Sequence, residues 1–385
     1  MKFKEYLLKD IATITMGQSP KSQFYNEDGK GIEFLQGVRT FGEDFPYFDT
    51  YTTKYNRLAY KNSILFSVRA PVGRVNWATK NIAIGRGVAS ISVKNMVYDR
   101  YVYYYFKKMG SFYDKKATGT VFTSINKKEL ESLKIKVPAS YDDQKRIADR
   151  LATLDRKIHL NQQLNANLTN QLNSMFDKMY YESSSRIELM NFISEMKSGD
   201  WGKAKLTDNF IKPAVIIRGT DFCNVANGQK SDAPIRYLKT ATIQKKHLIA
   251  NDVLIEISGG SPTQSTGRSL LITDKLLNRY NTPVLGTNFT RLFRCETEEN
   301  AVLFHSYINF LYNKNVFFNY ENGTTGIKNL DYKSILKINV NDVQKHSLFP
   351  KYFSMYHFYE SMKQHLGDES TVLTCLKEQL LRKFF

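Results

Sequence analysis

The 385-residue sequence reads as an α+β protein built twice: two similar globular blocks, each followed by one long helix. Three observations predict this. Stretches of the first half recur, in order, in the second. Short runs rich in Val, Ile, Phe and Tyr are bounded by Gly, Pro and Asn, as strands are. Two stretches of roughly 40 residues keep apolar residues alternately three and four apart, the pattern of a helix that buries one stripe against a partner.

The first block, residues 1–141, runs through "YLLKDIATITMGQSP", "IEFLQGVRTFGEDF" (32–45) and "YKNSILFSVRAPVGR" (60–74). Residues 64–68 and 82–93 have strand character. "GRGVAS" (85–90) lacks the third Gly of a dinucleotide turn and reads as a strand and bend. "DRYVYYYFKKM" (99–109) predicts one helix whose aromatic residues recur at helical spacing; the stripe fits a core, with a base-stacking platform as the alternative.

The first long helix is expected over 142–183, with Asp142 and Asp143 in its first turn, where negative charge suits the helix dipole. Its seam runs Ile147, Leu151, Leu154, Ile158, Asn161, Asn165, Leu168, Leu172. Two amides in a seam cost stability but fix register, because a slipped partner leaves them unpaired. A stutter that hands the seam to Leu160 and Leu164 is the competing reading.

The second block, 184–343, repeats the pieces of the first. "IELMNFISEMKSGDW" (187–201) answers the opening, "PAVIIRGTDFCNV" (213–225) answers 32–45, and "IANDVLIEISGGSPT" (249–263) answers 60–74. "ENGTTGIKNLDYKSILKINV" (321–340) answers "ATGTVFTSINKKELESLKIKVP" (117–138), and "NAVLFHSYINFLYNK" (300–314) supplies the block's helix. The offset grows along the halves, which places an insertion around 263–290. A second long helix is expected over 344–385, with seam residues Leu348, Tyr352, Met355, Tyr359, Met362, Leu366, Leu373, Leu376 and Leu380. Each long helix would span roughly 55–60 Å at about 1.5 Å per residue.

The net charge is +18 and unevenly placed. Residues 1–141 hold 23 Lys/Arg against 12 Asp/Glu, and residues 186–343 hold 20 against 15; residues 142–185 hold 6 of each. The excess therefore sits on the globular blocks, which points to a polyanionic partner. No apolar run is long enough to span a membrane, and "MKFKEYLLKD" interrupts with charge the apolar core that a signal peptide needs. Three dispersed cysteines, Cys223, Cys295 and Cys375, argue against a disulfide framework or a CxxC zinc site and fit a reducing cytoplasm.

Catalytic patterns are missing. No GxxxxGK[ST] loop, HExxH pair or Gly-x-Ser-x-Gly elbow occurs. Glu195 and Lys197 are half of a nuclease carboxylate–lysine pattern without a clear acidic partner. A self-sufficient nuclease and a coiled-coil protein scaffold stay open as rivals to a DNA reader.

Over its whole length the chain resembles the DNA-specificity subunits of type I restriction–modification systems. The residues that carry this are "LKDIATITMGQSP", "LMNFISEMKSGDW", "GTVFTSINKKELESLKIKVP" and "QKRIADRLATLDRKIHLNQQLNANLTNQL". The second block departs most, with Gly199-Asp200-Trp201 in place of Gly17-Gln18-Ser19-Pro20 and no Pro after Val340. The resemblance implies two target-recognition domains, each reading half of a bipartite double-stranded DNA site, and antiparallel pairing of the helices as a spacer that sets the gap. It implies a non-catalytic chain. Two modification subunits would carry S-adenosylmethionine for adenine methylation, and restriction subunits would use ATP and Mg²⁺.

DNA contacts are expected from Lys, Arg and small polar residues near turns. The first block offers Ser19, Lys21, Arg39, Arg69, Arg74, Lys115, Lys116 and Thr120. The second offers Lys203, Lys205, Arg218, Arg268 and Lys328. A solvated surface charge is the alternative for each.

Overall fold

The structure, a computed structural model, describes residues 1–385 apart from 118–123, 262 and 324–326; of residues 111–117 it describes the helical backbone alone. The architecture is α+β, and the chain divides into two compact units. The first comprises Met1–Arg156 with Thr374–Phe385, and the second is Lys157–Leu373.

In the first unit an antiparallel sheet has the strand order Ala12–Met16, Val88–Val93, Ile64–Ser67, Val75–Trp77. All four residues of Ile64–Ser67 are buried, as expected of an inner strand covered on both faces. A second sheet contains a parallel pair, Ile32–Leu35 beside Ile82–Ile84. The strand Phe3–Leu7 pairs with Lys134–Pro138. The helix Asp99–Ala117 buries Tyr101, Val102, Tyr104 and Phe106 in the core, so its aromatic stripe is packing rather than a stacking platform.

The second unit repeats this order. Its four-stranded sheet runs Glu195–Ser198, Thr290–Arg294, Asp252–Glu256, Ser269–Leu271, and Lys212–Ile217 lies parallel to Val284–Gly286. Arg186–Glu188 pairs with Asn339–Asn341, and the helix Glu298–Asn313 buries Phe304, Tyr307 and Phe310. The extra length lies in two places. The Ser67 N–H donates to Arg74 O, whereas Glu256 N–H reaches past a longer turn to Arg268 O. The helix Asp274–Leu277 then intervenes before Val284–Gly286.

The first long helix is Tyr141–Glu182 and the second is Phe349–Phe384. The second begins five residues after Gln344 because the preceding segment is held in turns. Gln344 N–H donates to Asp342 Oδ1 (3.1 Å) and its side-chain amide to Glu299 Oε1 (2.6 Å). Pro350 then occupies the first helical turn, where its missing N–H costs nothing.

Within the first unit, Ile147, Ala148 and Leu151 share a core with Leu381, and Asp155 pairs with Lys377 at 2.5 Å. Within the second, Phe176 meets Tyr352, Tyr359 donates to Gln171 (2.7 Å), and Asn161 donates to Glu369 (2.7 Å) and Ser370 (3.3 Å). These contacts run antiparallel in each unit.

Of the expected seam, Ile147, Leu151, Ile158, Leu168, Leu172, Tyr352, Tyr359 and Leu366 are buried. Asn161 and Asn165 are buried too, at 2% and 5% exposure, while Leu160 and Leu164 are exposed at 52% and 41%. The stutter is therefore absent. The second helix departs from the expected positions. Leu376 is 45% exposed, and Leu348, Met355, Met362, Leu373 and Leu380, like Leu154 on the first helix, are only half-buried. Tyr356, Lys377 and Leu381 are buried instead. A helix repeats every 3.6 residues, so a strict 3.5-residue seam slips by about 20° per heptad. From Tyr352 that slip carries the buried face one residue along, from Leu380 to Leu381.

Candidate nucleic-acid interface

In the first unit the turns at the ends of four strands converge. The Gly85 N–H donates to Leu35 O (2.8 Å), Gly87 N–H to Gln36 O (3.0 Å), and Val68 N–H to Gly87 O (3.0 Å). These bonds tie the segments 35–37, 67–69 and 85–88 into one frame. Gly87 is needed there, because a Cβ would stand 2.5 Å from Gln36 O. Ser19, half-buried, accepts the Arg86 N–H on its hydroxyl (3.2 Å). Arg69 and Arg86, both exposed, line a cleft with Gln36, Gly37, Val38, Ala70 and Gly87. None of these lining residues is acidic.

The other candidates of this unit are scattered. Lys21 is exposed at the turn before Ser22–Phe24. Arg39 is held by Asp49 in a two-pronged ion pair (2.5 and 2.8 Å), which raises its pKa and lowers that of the carboxyl through the same hydrogen bonds. Arg74 lies in a different depression, beside Gly42, Glu43 and Lys107. The side chains of Lys115 and Lys116, and all of Thr120, lie outside the described residues.

In the second unit three candidate cations are already engaged inside the fold. Arg218 wraps back on Asp221, donating from Nε and Nη2 at 2.9 Å each, and its pKa is raised by those bonds. Arg268 makes two bonds of 2.8 Å to Glu256, a carboxylate only 6% exposed; that hydrogen bonding raises the guanidinium pKa against the opposing effect of burial. Lys328 donates to Glu321 (2.7 Å). These charges balance carboxylates whose side chains are buried, so each is paired within the fold. Lys203 and Lys205 are exposed, with the Lys203 ammonium 5.6 Å from the Phe210 ring.

Glu195 and Lys197 pair with each other at 2.7 Å along one strand. Among the described residues no group of three or more His, Cys, Asp or Glu side chains is arranged to hold a metal ion. Among the described residues no helix is long and apolar enough to cross a membrane.

Sequence reasoning missed Gln36 and Arg86. The available signal was an arginine enclosed by two glycines, Gly85-Arg86-Gly87, at the start of a strand: a backbone pressed close to its neighbours with one long side chain projecting from it.

Residues 1–170 match the family model described as the type I restriction modification DNA specificity domain. A Methanocaldococcus jannaschii protein named for the specificity subunit of a type I restriction enzyme is 44% identical over 148 residues, 38% of this chain and 35% of its own length. A Mycoplasma pneumoniae protein named as a type I specificity subunit is 26% identical over 163 residues, 42% of this chain and 41% of its own. The matches thus span well under half of each curated relative. The crystal structure of a type I restriction–modification S subunit from M. genitalium resembles the fold, with a TM-score of 0.58 over 100% of this chain and 96% of that one, at 18% identity.

Proposed function

We propose, for a chain whose residues 1–170 match the type I restriction modification DNA specificity domain, that it is the sequence-reading subunit of a type I restriction–modification complex. Each unit reads one half of a bipartite double-stranded site, and the long helices set the unread gap. The chain is not itself a catalyst. It directs two methyltransferase subunits, which bind S-adenosylmethionine and modify adenine, and restriction subunits that use ATP and Mg²⁺.

One observation carries this reading: a four-stranded antiparallel sheet of the same strand order and register, beside a sheet that holds a parallel strand pair, is built twice in one chain. A duplicated reader suits a split site. Two modest half-site affinities combine when the second contact becomes intramolecular, and the gain is lost if the spacing forbids simultaneous engagement. The same logic ties half-site spacing to protein geometry in dimeric DNA-binding proteins. The basic balance of both blocks supplies the non-specific attraction to phosphate on which base reading is superimposed.

The polar seam supports the spacer role. Asn161 binds Glu369 and Ser370 on the second long helix, and that hydrogen bond lowers the Glu369 pKa. In the observed register this buried amide is answered by polar groups on the facing helix.

The test is selection of duplexes with a randomised interior by the full chain in complex with its methyltransferase subunits. Two short motifs at one fixed separation are expected. Enrichment of a single uninterrupted motif, or of none, would overturn the proposal.

A further inference from the structure

The repeated register allows the two units to be compared residue by residue at the turn frame. Gly85 N–H donates to Leu35 O as Thr287 N–H does to Ile217 O, and Val68 N–H to Gly87 O as Ile257 N–H does to Phe289 O. By this register Gln36 stands where the second unit has Arg218, Ser67 where it has Glu256, Arg69 where it has Ser258, and Arg86 where it has Asn288.

The two frames differ in what fills them. In the second unit a Cβ on Gly219 would lie 2.1 Å from Glu256 Oε1, with Arg268 Nη2 3.5 Å away: an internal ion pair plugs the space. Arg218 is folded onto Asp221. In the first unit no atom of the described residues lies within 4 Å of the same point on Gly37. The glutamate is replaced by Ser67, whose hydroxyl is spent on Pro71 O (2.7 Å). The aspartate is replaced by Arg39. What remains among the described residues is an open cleft with two guanidinium groups and one amide, all exposed, and no carboxylate in its lining.

Such a set calls for a ligand rich in acceptors that also offers a donor. Phosphate offers acceptors alone, so it would engage the guanidinium groups and the Gln36 amide N–H but not the Gln36 carbonyl. The major-groove edge of DNA offers both. Guanine N7 and O6 take a two-pronged arginine, and an amino group of an adjacent pair answers the amide. Val38 and Ala70 add an apolar wall of the kind that meets a thymine methyl. The backbone at Gln36 and Arg86 is held by the bonds of the frame, so only their side chains have to be ordered on binding.

We propose that Gln36, Arg69 and Arg86 form a guanine-reading cleft of the first unit that has no counterpart in the second. This rests on the DNA-reading function proposed above and assigns different recognition chemistry to the two half-sites.

The same randomised-duplex selection, run on the full chain with its methyltransferase subunits, tests this. Arg86→Asn and Arg69→Ser install the residues found in the second unit. Arg86→Lys keeps the charge but not the two-pronged geometry. Each should reduce the preference for G at a position of one half-site by about tenfold or more, leaving the other half-site and the gap unchanged. Arg86→Lys should do so with the salt dependence of binding preserved. If the variants weaken binding uniformly across sequences, with the salt slope falling by about 1 and both motifs intact, the side chains touch phosphate and the cleft assignment is wrong. Unaltered selection by the variants would equally overturn it. If the unaltered chain selects no motif, the DNA-reading function itself falls, and the cleft with it.

Discussion

At the level of single residues, the candidate cations separate by what faces them. Arg69 and Arg86 line a cleft without a carboxylate, whereas Arg268 neutralises Glu256, which is almost wholly buried. Removing one partner of a buried pair leaves the other charge uncompensated at a cost of about 3–5 kcal/mol. Arg268→Ala should therefore lower the unfolding free energy of the chain by about that amount, and adding Glu256→Gln should recover most of the loss. Denaturant titration distinguishes this from a surface DNA contact, for which stability would be unchanged and only binding would fall. The sequence could not reveal the pairing. Arg268 and Glu256 are brought together by the register of Asp252–Glu256 on Ser269–Leu271, and register is not written in either residue's neighbours.

Among the elements, the long helices show how far local pattern reaches. Spacing leaves open whether the seam keeps Asn161 and Asn165 or passes to Leu160 and Leu164, but the existence and approximate length of the helices follow from it alone, because helical periodicity is a local property. The role of the second amide does not. Asn165 donates to Asn227 O (3.4 Å), in the tight turn Asn227–Gly228 that presses on the second long helix. Gly228 has φ +74°, and a Cβ on Gly367 would sit 2.3 Å from Gly228 backbone atoms. A lone glycine inside a helical stretch was the visible trace of that approach. Alanine is the better helix former by about 1 kcal/mol, so Gly367→Ala would stabilise a free helix. Here it should instead destabilise the protein by about 1–3 kcal/mol through overpacking, seen as a lower thermal midpoint. The sheets were readable as strand-like runs. The pairing of their turns into a cleft was not, because it depends on which strands lie side by side.

For the molecule as a whole, the four-stranded sheet is built twice and each long helix contributes residues to both units; the proposed function makes of these two readers and a spacer. Affinity in such a device depends on distance as much as on base identity, since both arms must engage one duplex at once. Inserting a base pair moves the far half-site by about 3.4 Å along the axis and rotates it about the helix. A spacer of fixed length, as the proposed function requires, would follow neither change. The deciding measurement is the affinity of the full chain, with its methyltransferase subunits, for its selected duplex and for the same duplex with one base pair added to the gap. A fall to the level of unrelated DNA is predicted, and equal affinity for the two would contradict the account.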